Sequence, residues 1–178
     1  MIPEKYKKNL LSCQDELQVL FNAVGQYKDI AIIEGHRGEE RQNKAFKEGK
    51  SDKQWPDGKH NKLPSWAVDV APCKIKGDKV EIDWNDTKSF YDLYKFVSDI
   101  AKILYIDLRW GGDWDRDGDY NDQRLMDLVH YELVTVKPVD DEALLQYANV
   151  VSLAHPNAVS PLQKLKLWIS SLRKKNTG

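Results

Sequence analysis

Four histidines are available for chemistry in this chain: His36, His60, His130 and His155. His60 lies in KHNKLPSWAVD, nine residues before Asp69, and His130 lies in DLVHYEL, three residues after Asp127 and two before Glu132. Residues two apart in a strand face the same way, so His130 and Glu132 should point to one side together. A catalytic zinc ion takes three ligands from His, Asp, Glu or Cys and keeps a fourth position for water. Two histidines and one carboxylate meet that demand. Taken singly, the same residues read as polar surface, and spacing alone does not separate the two readings.

A second cluster is acidic. DWDRDGDYND carries Asp113, Asp115, Asp117, Asp119 and Asp122. D-x-D-x-D-G is the opening of a calcium loop, with oxygen ligands at positions one, three and five and a glycine for the turn. The bidentate glutamate that an EF-hand places at position twelve is replaced by Arg124, which excludes a full EF-hand. What remains is a looser calcium site on the five aspartates, set against a merely solvated loop. So many neighbouring acids repel one another, and a divalent cation would relieve that. Ordering this loop would also fix Trp114 and Asp127.

The pattern around these residues sets the elements that must hold them. Leu17, Leu20, Phe21 and Val24 follow at helical spacing up to Gly25, with Ser12 and Asp15 reading as a capping box at the start. Ile30 to Ile33 reads as a buried strand, residues 38–47 as a polar helix stopped at Gly49, and residues 50–65 as a loop. Strands are expected at 66–71, 108–110 and 130–136, with a hairpin over 74–84 turning at Gly77-Asp78. Phe90, Leu93, Tyr94, Val97, Ile100, Ala101 and Leu104 define a long amphipathic helix capped by Asp86 or Thr87. The class is α+β, a small antiparallel sheet with packed helices. After Pro138 the texture becomes helical, over 140–151 and 161–172. Residues 1–138 are therefore expected to be the catalytic domain, and 139–178 a helical extension docked on it.

Lysines and arginines number 27 and acids 28, a balance that argues against a protein coating nucleic acid. Cys13 and Cys73 lack C-x-x-C spacing and read as free thiols. No stretch reaches the roughly 18 apolar residues of a membrane span, and no cleavable leader is evident. The expectation is a monomer made and kept in the cytosol, or leaving it by a route this sequence does not encode.

Five segments, EGHR (34–37), KHNKLPSWAVDVAP (59–72), IDWND (82–86), RWGGDW (109–114) and DLVHYEL (127–133), occur in this order. Together they resemble the zinc peptidases of the D-alanyl-D-alanine carboxypeptidase superfamily, whose fold the hedgehog-like proteins share. Within it they are most similar to the L-alanyl-D-glutamate endopeptidases that phages use as endolysins. The resemblance covers roughly residues 28–136. It implies His60, Asp69 and His130 as zinc ligands, Asp127 as the acid that activates water, and Arg37 as the charge beside the substrate carbonyl. One departure is visible: the family spaces its first histidine and aspartate by seven, where this chain has nine, with Leu63-Pro64 enlarging the loop. Glu132 is the alternative base, or else a partner that orients a ligand histidine. Arg37 could instead pair with Glu34, Glu39 or Glu40. His36 on its strand would point the other way from Arg37, and His155 reads as surface. Trp114 is expected to meet substrate.

The resemblance implies zinc-dependent cleavage of bacterial peptidoglycan stem peptides by a protein made in the host cytoplasm that acts at the cell wall or periplasm after release. Rival readings are a D-alanyl-D-alanine carboxypeptidase, a non-catalytic zinc-containing wall-binding module, and a calcium-binding structural protein of a virion.

Overall fold

The computed structural model describes residues 1–154. Along them run α1 (Glu4–Leu10), α2 (Asp15–Val24), β1 (Ile30–Glu34), α3 (Glu39–Lys47), β2 (Ala67–Pro72), β3 (Lys74–Lys76), β4 (Lys79–Glu81), α4 (Thr87–Ile103), β5 (Leu108–Gly111), β6 (Asp127–Leu133) and α5 (Asp141–Ala154), with a 3-10 turn at Lys59–Asn61. Four strands form one sheet in the order β1-β2-β6-β5, every neighbour antiparallel, and β3 pairs with β4 as a separate hairpin. The α+β class follows from this arrangement.

Strand alternation divides the sheet into two faces of opposite character. Ile30, Ile32, Val68, Val70, Tyr131 and Leu133 join Leu17, Leu20, Phe21 and Val24 of α2 and Leu93, Val97, Ile100 and Ala101 of α4 in one apolar core. The ring of Phe21 meets that of Tyr131 edge to face at 5.2 Å. Asp69, His130 and Glu132 alternate with these core residues and line a cleft instead. The helices thus close one face and leave the other for polar chemistry. α4 begins at Asp86, whose carboxylate accepts from the Ser89 N–H at 3.2 Å.

Several boundaries differ from those expected. The first helix, α1, has no counterpart in the sequence reading; its single buried residue, Leu10, gives no helical period. α2 starts at Asp15, and its N-cap residue Gln14 makes no side-chain cap. Residues 12–14 bridge to Ser65 instead, because Gln14 N–H donates to Ser65 C=O and Ser65 N–H to Ser12 C=O, both at 2.8 Å. Ser12 Oγ is thereby freed to donate to Asn9 C=O and accept from the His36 N–H. The last sheet strand spans 127–133 rather than 130–136, since pairing with β5 runs from Leu133 opposite Leu108 to Asp127 opposite Gly111. Cys13 and Cys73 are both free. The helix expected at 161–172 lies outside the described residues, as does His155.

Candidate metal centre

Three elements deliver the central residues: the 3-10 turn holds His60, β2 holds Asp69 and β6 holds His130. Asp69 and His130 are register partners across the β2–β6 ladder, so side chains on the same face must meet. His60 Nε2 lies 3.1 Å from Asp69 Oδ1 and 3.2 Å from His130 Nδ1, and His130 Nδ1 lies 3.2 Å from the same Oδ1. All three residues are buried. The two extra residues between His60 and Asp69, relative to the family spacing, are absorbed in the loop before β2 and leave this contact intact.

What sits behind each ring decides what faces inward. His60 Nδ1 is 2.7 Å from the carbonyl oxygen of Gly35. A carbonyl only accepts, so the proton of a neutral His60 is on Nδ1 and the Nε2 lone pair points into the triangle. His130 Nε2 is 3.1 Å from Glu132 Oε2, which likewise holds the proton at Nε2 and turns Nδ1 inward. With both rings neutral, two imidazole lone pairs and a carboxylate oxygen converge with no proton among them. That donor set repels itself unless a cation sits inside, and its chemistry, two imidazoles and a carboxylate, suits zinc. In the absence of a cation, burial pulls His130 down, but hydrogen bonds to Asp69 and Glu132 outweigh it and raise it to about 9. Burial likewise opposes the ionised form of Asp69, yet the two histidines hold it well below the usual carboxylate range.

Gly35 can offer its carbonyl only because it has no side chain. A Cβ there would stand 2.1 Å from the Asn9 carbonyl oxygen and 2.3 Å from Ser12 Oγ.

Asp127 reaches the same cleft through an irregularity. It lies three positions before His130, an odd offset that in a regular strand would put the two on opposite faces. Between Trp110 and Gly111 of β5, however, the paired position on β6 jumps from Tyr131 to Asp127. This bulge turns Asp127 back to the side of His130, a common use of bulges near sites. It also needs Gly111, where a Cβ would lie 2.3 Å from the Asp127 carbonyl oxygen. Burial and the negative charge of Asp69 raise the Asp127 carboxyl, while His130, His60 and Arg37 pull it down. A cation in the triangle would add to the downward pull and favour the ionised form.

Arg37 makes the expected ion pair with Glu34 and also faces the cleft. Its guanidinium pairs with Glu34 Oε2, at 2.9 Å from Nε and 2.6 Å from Nη2. It also stands 3.5 Å from Asp69 Oδ2 and lines the cleft. Glu132 is committed elsewhere: besides His130, its carboxylate takes Arg109 Nε at 2.9 Å and Nη2 still closer. His36 turns its Nδ1 to the Lys62 carbonyl at 3.0 Å.

Glu34, Gln42 and Arg109 were not singled out by sequence as site residues. Buried Gln42 donates to Ser51 Oγ and the Lys53 carbonyl and accepts from Asn61, fastening α3 to the loop beside His60. The only trace in sequence is an isolated polar residue at an inward position of a polar helix. Arg109 stands opposite Glu132 in the β5–β6 register, and pairing between distant strands is not written in either segment.

The cleft has a volume of about 900 Å³. One wall is Trp114, whose ring lies 5.3 Å from that of His130 and 5.5 Å from the Arg109 guanidinium. Its indole N–H donates to the Leu125 carbonyl and its backbone N–H to Gln123. In the acidic loop, Asp113, Asp115 and Asp117 offer oxygens within 4.8 Å of one another. Asp119 and Asp122 lie outside that group; their carboxylates accept from Asn121 and Gln123.

Among known proteins, the chain is 32% identical over 133 residues to the L-alanyl-D-glutamate peptidase of Escherichia phage T5, covering 72% of this chain and 93% of that one. The crystal structure of the Serratia marcescens L-Ala D-Glu endopeptidase ChiX superposes with a TM-score of 0.57 at 21% identity, over 75% of this chain and 90% of that one, a likeness of fold. The family described as phage L-alanyl-D-glutamate peptidase matches residues 3–134. The chain belongs to the phage L-alanyl-D-glutamate peptidase family.

Proposed function

We propose that the protein is a zinc-dependent peptidoglycan endopeptidase that cuts the L-alanyl–D-glutamate bond of the stem peptide, serving as a phage endolysin in host lysis. The observation that carries this reading is the convergence of His60, Asp69 and His130 in the cleft of a chain belonging to this peptidase family. These three residues would hold the metal. The chemistry zinc supplies in such a site is Lewis acidity, polarising a carbonyl and bringing the pKa of water toward about 7.

The remaining steps fall to the chain's own groups. Asp127 takes the proton of the attacking water and hands it to the leaving amine. Arg37, held by Glu34, sets a fixed positive charge beside the oxyanion that develops on the carbonyl oxygen. Glu132 is the positioning partner of His130, with Arg109 fixing its carboxylate. Trp114 forms a flat wall for the peptide.

Digestion of purified sacculi, with and without a zinc chelator, tests the reading by mass spectrometry. New N-terminal D-Glu that disappears with chelator is the expected product. Released D-Ala instead would make the protein a carboxypeptidase, and no product would leave a wall-binding module.

We further propose that calcium binds the acidic loop and tunes the site. Asp113 is only 4% exposed, and its Oδ1 is buried without a hydrogen-bond partner among the described residues. A buried carboxylate oxygen left unpaired is costly, and a cation shared with Asp115 and Asp117 would satisfy it. Trp114 links this loop to His130, so ordering the loop would steady the cleft wall. Calcium titrated into zinc-loaded protein should release or absorb heat and change the rate; neither effect would defeat the idea.

A further inference from the structure

Glutamate has two carboxyl groups, and continuing a peptide chain consumes at most one. A substrate cut between alanine and D-glutamate therefore carries a free carboxylate on the residue just beyond the scissile bond. This follows from the proposed cleavage and rests on it. Burying that charge in the cleft calls for a cation not already neutralised.

Six lysines and arginines line the cleft: Arg37, Lys50, Lys53, Lys59, Arg109 and Arg124. Five are committed. Arg37 pairs with Glu34 and Asp69, Arg109 with Glu132, Lys50 with Glu48, and Lys53 with Asp52. Lys59 donates to the Leu133 carbonyl and lies over the Trp66 ring. Arg124 has no ion pair or hydrogen bond among the described residues, although Asp122 is two positions away and Asp115 shares the cleft. The amide of Gln123 takes both of those carboxylates, at 2.9 Å from Asp115 Oδ1 and 2.7 Å from Asp122 Oδ1. The residue beside the arginine thus occupies its nearest partners and leaves the guanidinium free.

We propose that Arg124 binds the free carboxylate of the substrate's D-glutamyl residue and sets the preference for glutamate at that position. It stands at the end of the acidic loop, next to Leu125, whose carbonyl holds the Trp114 indole, so its place is fixed to the wall that faces His130. A guanidinium matches a carboxylate in shape and can donate two parallel hydrogen bonds.

The test uses two stem peptides that differ in one atom group, one with the free D-glutamyl carboxylate and one with that carboxylate amidated. Wild-type zinc-loaded enzyme should prefer the acid by about tenfold in kcat/KM, mostly through KM. Arg124→Gln should lose about tenfold on the acid peptide and little on the amide, erasing the preference. Arg124→Lys should keep part of it, and zinc content should not change in either. Equal loss on both peptides, or no loss on either, would overturn the assignment to Arg124 while leaving the cleavage reading intact. Failure of the wild type to cut either peptide at the alanyl–glutamyl bond would instead overturn the cleavage reading and the assignment with it.

Discussion

The inward lone pairs of His60 and His130 are set from behind, by the Gly35 carbonyl and the Glu132 carboxylate. Removing His60, Asp69 or His130 leaves two ligands, too few for tight zinc binding. Alanine at any of the three should abolish cleavage and lower zinc content, and a triple variant that still held one zinc per chain would refute the ligand set. Asp127→Asn keeps the shape and cannot accept a proton, so turnover should fall about 10²- to 10⁴-fold with zinc retained. Glu132→Gln should act differently, weakening zinc about 10- to 100-fold because it loosens His130. If Glu132→Gln kept its zinc but was dead, while Asp127→Asn ran near the wild-type rate, the base would be Glu132. At this scale the sequence was informative about residue types, because zinc chemistry admits few. It was silent on Arg109 and Gln42, whose roles depend on contacts between segments far apart in the chain.

At the scale of elements, alternation and helical period were enough to read β2, α4 and the Gly77 hairpin, each a local pattern. They failed at β6, whose ends are set by β5 and by a bulge that no local pattern encodes. They failed again at residues 12–14, where pairing with Ser65 overrides a capping motif. The bulge is the more consequential, since without it Asp127 would face the helical core. Gly111→Ala tests this: the new Cβ would press on the Asp127 carbonyl, and relief requires the strand to shift. Expected are a loss of stability of about 1–3 kcal/mol and a fall in kcat, with zinc content falling less than kcat because His130, although within the bulge, stays paired with Asp69 across the β2–β6 ladder. A variant with unaltered kcat would mean that the bulge does not position the base.

For the molecule as a whole, the open matter is how residues beyond Pro138 relate to the sheet. The sequence reading placed a boundary there on a change of texture, yet also expected the extension to dock. α5 sets Leu144 and Tyr147 into the same core as α2 and α4, with Tyr147 almost wholly buried. The Tyr105 hydroxyl, at the end of α4, donates to Gln146 Oε1 at 2.8 Å. We propose that α5 completes the catalytic unit, and that attraction of the basic residues Lys164, Lys166, Arg173, Lys174 and Lys175 to an anionic wall is secondary. No helix among the described residues is long and apolar enough to cross a membrane. Cutting the chain after Pro138 should then lower the melting temperature and solubility, and a second cut after Ala154 measures what residues 155–178 add to that effect. Tyr147→Ala should reproduce much of the first effect, costing about 3 kcal/mol and roughly 6–12 °C in a chain of this size. Two truncated proteins of equal stability to the full chain, both binding sacculi less well at low salt only, would reverse the order and make wall attraction the main role of the extension.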